Sequence, residues 1–368
     1  MVYRKNRSMG ERNKKRSEKS SRIGKRSVLK GMGTMAGGLA FPYSAVSSAV
    51  GDEYDGEMVV RTPSLANSLS ASEVRDIQRE NIEAFKSNTE SEIKIGGAYP
   101  EDDVDVVALV YRIDAAGQPS VYVGAVPSDQ PVSKERVARL HRHANQHADR
   151  VRDEVDPKRA DRDATSGVAS AGYATGWDEM VADYAYEFDD CPYGGLYMGG
   201  EIYEKQGTSY FGYGIDHIHR ANPGSNYCSS DWVLKKAASR HIWEKFDRDP
   251  PILHEYAPDT DEDGDYTVDA SAGFSGASIG VSYDPPDTYR DVTAGPDGTE
   301  NVIWDWDYSN NLDSAAQHNP TSVIKSAEEA LSGTYGSNKL IKVEAEARWY
   351  KVWNNYETSS SGMTIYVE

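Results

Sequence analysis

Two periodicities divide the chain. Between Ser72 and about Ser87, Val74, Ile77, Ile82 and Phe85 share one face of a predicted helix. Ser133 stands as an N-cap before a second helix, where Val137, Leu140, Ala144, Ala148, Val151 and Val155 recur every three or four residues. Two apolar runs, Val104 to Ile113 and Ser120 to Val126, read as strands joined by a hairpin at Asp114-Ala-Ala-Gly-Gln. From Gly172 onward the period shortens to two: aromatic and β-branched residues alternate with polar ones and glycine. Lys342 to Trp353 alternates almost strictly, which predicts one buried and one wet face. Two helices interrupt this expectation, at Asp231 to Phe246 and at Ser322 to Ser332. No fixed-period repeat is visible. The predicted class is α+β: a small α+β domain over 72–155, then a larger β-rich domain over 171–368, a sandwich or an irregular barrel. Residues 50–71 and 156–170, polar and punctuated by proline, read as linkers.

Charge changes this picture at the amino terminus. The 368 residues carry 59 Asp+Glu against 40 Lys+Arg, a net −19, but the sign is unevenly distributed. Residues 1–49 hold 12 basic and 2 acidic residues, a net +10; residues 50–368 hold 28 basic and 57 acidic, a net −29. A basic head, a weakly apolar glycine-rich stretch and small residues at Ser47 and Ala49 have the layout of an export signal over 1–49. The alternative is a basic tail with a surface helix. No run of about 18 apolar residues is present, so the mature chain is not expected to span a membrane by helices. So acidic a body repels phosphate, which argues against nucleic acid as a partner.

Lys25-Arg26-Ser27-Val28-Leu29-Lys30 resembles the twin-arginine export motif, with lysine in place of its first arginine. The body has 12 Lys and 16 Arg against its 57 acids, and small residues replace large aliphatics. At about 1 M salt the Debye length is about 3 Å, so such self-repulsion is screened. Signal and composition together resemble exported proteins of haloarchaea. The resemblance implies the export machinery as a partner and a secreted or cell-surface location. It names no functional family.

Cys191 and Cys228, the only cysteines, are expected to form a disulfide outside the cell, closing a loop worth about 3–4 kcal/mol. The rival reading makes them metal ligands with His217 and His219. Asp259, Asp261, Asp263, Asp265 and Asp269, with Gly264 at the turn, resemble a DxDxDG calcium loop; Ala270 stands where a bidentate Glu belongs. The alternative is an acidic surface loop. His141, His143 and His147 fall on the second helix and read as a solvated cluster beside Arg142, Gln146 and Arg150. Asp216-His217-Ile218-His219 is the better candidate for chemistry: in a strand both imidazoles point one way, with Asp216 as a possible orienter for acid–base work or zinc. Its alternative is a packed strand face. Gly276-Ala-Ser278-Ile-Gly280 matches a nucleophile pattern, with Asp313 and His318 following. Tyr283-Asp-Pro-Pro286 cannot form the helix such an elbow needs. Trp304, Trp306 and Tyr308 share a strand face opposite Asp305 and Asp307, either a ligand-stacking platform or core.

The reading these features favour is an exported, salt-adapted, non-catalytic protein whose β-rich domain binds a protein, a glycan or the cell envelope. A secreted hydrolase using Asp216, His217 and His219 is one alternative. A halocin-like antimicrobial precursor, cut within 156–170, is another.

Overall fold

A computed structural model describes residues 58–101, 103–155, 172–175, 177–206, 211–243, 252–257, 266–271, 278–283, 288–294, 301–326, 339–351 and 355–367. The expected signal over 1–49 and the 156–170 linker lie outside these residues. Helix α1 is Ala71–Asn88, begun by a capping box in which Ser70 Oγ accepts from Glu73 N–H and Glu73 accepts from Ser70 N–H at 2.8 Å. Val74, Ile82 and Phe85 are buried as the spacing predicts. Gln78 is buried with them, its amide paired to both backbone groups of Ala98 at 2.9 and 3.0 Å. A Cβ at Gly97, where φ is +153°, would come 2.1 Å from the Gln78 oxygen, so this docking requires glycine. Helix α2 is Lys134–Val155, and Ser133 Oγ accepts from Arg136 N–H.

The amino-terminal strands are β1 (Val59–Arg61), β2 (Ile95–Pro100), β3 (Val104–Ile113) and β4 (Pro119–Pro127). Next come β5 (Gly172–Thr175), β6 (Glu179–Asp190), β7 (Gly194–Gln206), β8 (Phe211–Pro223) and β9 (Val233–Trp243), with a short turn of helix, Gly224–Tyr227, between the last two. The remainder are β10 (Ile252–Ala257), β11 (Tyr266–Ser271), β12 (Ser278–Tyr283), β13 (Thr288–Ala294) and β14 (Asn301–Leu312). The chain finishes with β15 (Ala316–His318), β16 (Thr321–Ser326), β17 (Lys339–Lys351) and β18 (Asn355–Val367).

These strands form a nine-stranded sheet ordered β1-β3-β4-β6-β7-β8-β16-β10, with β15 also on β8. A six-stranded sheet runs β13-β14-β9-β17-β18-β2, and β11-β12-β5 make a small third one. The two large sheets are open and share one apolar core, the α+β class in its sandwich form. Trp243, Trp304, Trp306 and Trp349 from the six-stranded sheet meet Tyr184, Tyr186, Met198 and Ile202 from the nine-stranded one. A second cluster lies under α2, where Val137, Leu140 and Ala144 cover Val107, Val110 and Tyr122. β17 shows the predicted alternation: Val343, Ala345, Ala347 and Trp349 are buried between more exposed Lys342, Glu344, Glu346 and Arg348.

Several expectations are corrected. Asp231 to Phe246 is not a helix but contains β9, and Ser322 to Ser332 begins as β16. Within the expected 50–71 linker, β1 pairs with β3 and Leu65–Asn67 makes a 3-10 turn. The segments 72–155 and 171–368 share both large sheets: β4 pairs in parallel with β6, and β2 pairs with the last strand, β18. Only the β4–β6 pair is parallel among the described strands, and α2 lies in its crossover.

Candidate functional site

β8 lies within the nine-stranded sheet between β7 and β16, and its period of two separates the Asp216–His219 candidates. His217 and His219 point inward between the two large sheets, each with 0% exposure. Asp216 belongs to the opposite face, so it does not orient either imidazole. Opposite them stands the inner face of the six-stranded sheet. His241 on β9 lies 5.0 Å from the His217 ring centre, and Trp304 lies 4.8 Å from His241. Trp306 stacks on His318 at 3.9 Å, and His219 stands 6.2 Å from His318. Gly200 faces His217 in register; a Cβ there would meet the Asp216 carbonyl oxygen at 2.0 Å.

Hydroxyls reach some of these rings. Tyr184 keeps its proton, burial raising its pKa well above the usual range, and its hydroxyl hydrogen-bonds His217 Nδ1 at 2.6 Å. His217 Nε2 has no partner. Ser322 Oγ accepts from Trp243 Nε1 at 2.9 Å and bonds His241 Nδ1 at 2.8 Å. Tyr308 bonds His318 at 2.5 Å. Neither nitrogen of His219, nor His241 Nε2, has a partner. Burial lowers His219 and His241 to a pKa of about 3. His217 is also lowered, by burial first and then by the other two imidazoles. The result is a layer of neutral histidines among indoles, closed to solvent.

This layer also fixes the other aromatic candidates. Trp304, Trp306 and Tyr308 are 0, 2 and 0% exposed, so the face they share is core in this conformation, while Asp305 and Asp307 point outward as expected. Ser278 of the nucleophile pattern opens strand β12, and His318 belongs to the histidine layer. Asp259, Asp261, Asp263 and Asp265 lie outside the described residues; Asp269 sits in β11. Among the described residues no group of three or more His, Cys, Asp or Glu is placed to hold a metal.

On the outer face, Asp216 is 2% exposed and in register with Glu201 across β7 and Thr321 across β16. Burial, then the Glu201 charge, raises its pKa to about 7. Further along this face the histidines of α2 dock rather than face water, correcting the solvated reading. His143 bonds Glu187 at 2.7 Å, His147 bonds Ser120 at 3.2 Å, and His141 reaches the Val107 carbonyl at 2.9 Å. Glu187 also accepts from Tyr227 at 2.8 Å and Tyr122 at 3.0 Å. Burial would raise its pKa, but these three donors hold it below the usual value. Asp189 accepts from Arg136 and Arg139, and Arg139 stacks 3.8 Å over the Tyr227 ring. Cys191 and Cys228 form the expected disulfide beside this network, their Cα atoms 5.6 Å apart, so they are not ligands with His217 and His219.

An open cavity lies elsewhere, on the outer face of the six-stranded sheet. It is a groove of about 550 Å³ across β14, β9, β17 and β18. Its floor includes Ala238, flanked in register by Asp305 and Glu346. Lys236 and Arg348 stand side by side one rung away, with Thr358 beyond Arg348. Tyr356 forms a wall at 41% exposure, its ring 4.4 Å beneath the Arg348 guanidinium. Sequence reasoning missed this site: its residues come from segments up to 120 positions apart, joined only by strand register. The wet half of the β17 alternation was the available signal.

No family model matches the chain, and no curated protein matches it. Among solved structures it is similar to Clostridium perfringens delta-toxin, at 9% identity and a TM-score of 0.32, over 50% of this chain and 92% of that one. A likeness of that extent carries no argument about activity.

Proposed function

We propose that the protein is an exported, salt-adapted binding protein whose ligand-holding surface is the outer face of the six-stranded sheet, and that its ligand is a saccharide chain of a cell envelope. The observation that carries this reading is the groove: an open, polar cavity with an exposed tyrosine wall and both donors and acceptors on its floor and sides. Local charge supports it. Strands β9 and β17 carry seven basic and two acidic residues, within a body of net −29. That reversal gives these two strands a net positive charge and an attraction for anionic groups. Export is supported by the basic leader and the acidic body, and the disulfide agrees with an oxidising exterior.

The test uses protein recovered from the culture medium, incubated with isolated envelopes in molar salt and sedimented. Co-sedimentation that is lost when Tyr356 and Arg348 are both changed to Ala is the expected result. Protein found only inside cells, or sedimentation untouched by the double change, would count against it.

A further inference from the structure

We infer that the groove on the six-stranded sheet selects an acidic saccharide, a chain containing uronic acid units, with Arg348 holding the sugar carboxylate. This rests on the binding reading above and adds the ligand's charge and the residue that reads it.

Lys236 and Arg348 are direct cross-strand partners on adjacent strands, and like charges so placed repel. Lys236 is compensated, pairing with Asp307 at 2.7 Å. Arg240, on the next rung but one, lies 3.6 Å from both Glu344 and Glu346. Lys342 is held between Glu101 and Glu344. Arg348 is the exception: it has no carboxylate within ion-pairing distance among the described residues. Its guanidinium lies against the Tyr356 ring. A guanidinium seated on an aromatic face keeps its N–H groups in the plane at its edge, free to grip a carboxylate with two parallel hydrogen bonds. The structure thus offers an uncompensated, pre-oriented Arg at the side of the groove.

The rest of the lining explains why the carboxylate belongs to a sugar and not to an acidic peptide. Asp305, Glu346 and Glu357 line the same groove. They are acceptors, suited to a ligand that brings hydroxyl donors, and they repel one whose side chains are all carboxylates. Thr358 adds a hydroxyl that can donate or accept. Tyr356 supplies an amphipathic ring for the apolar face of a pyranose. Ala238 keeps the floor low between the charged walls. A uronate satisfies every group: carboxylate on Arg348, hydroxyls on the acids, ring against Tyr356.

Titration calorimetry of the secreted protein in molar salt decides it, with three probes of equal length: an oligoglucuronate, a neutral oligoglucoside and poly-L-glutamate. The oligoglucuronate is expected to bind at least tenfold tighter than either other probe. Arg348→Ala should weaken it by about 10–100-fold, the range for hydrogen bonds to a charged group, without lowering the melting temperature, because the repulsion with Lys236 is relieved. Arg348→Lys should restore only part of this, because lysine cannot make the paired bonds. Equal binding of the neutral oligomer overturns the acidic preference and leaves the saccharide reading standing. Tighter binding of poly-L-glutamate overturns the sugar class. Oligoglucuronate binding that ignores Arg348→Ala overturns the site. If no probe binds, this inference fails, and envelope co-sedimentation reports separately on the broader reading.

Discussion

The nine-stranded sheet carries a polar layer on each face, and β6 contributes to both. Outward, beneath α2, the Glu187 and Asp189 carboxyl groups are engaged by arginines, a histidine and two tyrosines. Inward, His217, His219 and His241 are neutral, and four of their ring nitrogens lack any partner. Both layers are buried, yet they resist disruption in different ways. The outer layer is held by its own bonds, so it is brittle to the loss of one partner. The inner layer is held by the packing of indoles around it, so it tolerates apolar replacement but not charge.

Acid should produce the largest difference. His219 and His241 have folded pKa values of about 3, against about 6.5 for an unfolded histidine. A depressed value means the unfolded chain takes up the proton first. The stability these groups allow is therefore intact above pH 6.5 and is lost as pH falls toward 3. Each histidine removes about 1.4 kcal/mol per pH unit in that window, so the pair removes about 5 kcal/mol over two units, comparable to the whole stability of many domains. Asp216, raised to about 7, works in reverse and offsets roughly one histidine as pH falls, while His217, also lowered by burial, adds to the pair in the same sense. Melting temperature followed from pH 7 to 4.5 should fall steeply. A flat profile would mean that the inner layer is open to water.

Next in size is Asp189→Ala, which strands Arg136 and Arg139 against the sheet and should cost about 3–5 kcal/mol in denaturant unfolding. Replacing both Cys191 and Cys228 by Ser should cost about 3–4 kcal/mol, since the bridge closes a loop across 37 positions. It should also loosen the outer layer, because Arg136 donates to the Cys191 carbonyl. Smallest is His219→Leu, expected to change stability by less than about 1 kcal/mol and to flatten the acid profile by one proton. A loss as large as that of Asp189→Ala would erase the contrast between the layers.

The same contrast explains what could be read from sequence. Helices α1 and α2 and strands β3, β4 and β17 were legible because apolar side chains fill their buried faces. β9 was misread as helix because its inner face is Ala237, Ser239, His241 and Trp243. Two buried polar residues hide the period of two, while Val233, Leu234, Ala237 and Ala238 imitate a helical stripe. His217 and His219 were found, but not the closed space they occupy, because the residues across from them lie on β9 and β14. The docked role of His143 depended on Glu187, on a different strand 44 positions away. The groove showed in the sequence only as the wet half of the β17 alternation, since strand register assembles the rest.

The pairing of β18 with β2 joins residues 363–367 to 95–100. An edge of the six-stranded sheet is thus completed by residues far downstream of β2. Until they emerge, β2 and one side of β17 stay without their neighbour, and native topology with such distant pairing is reached slowly. Strand edges are therefore exposed in that interval, and the abundance of carboxylates keeps unfinished chains apart.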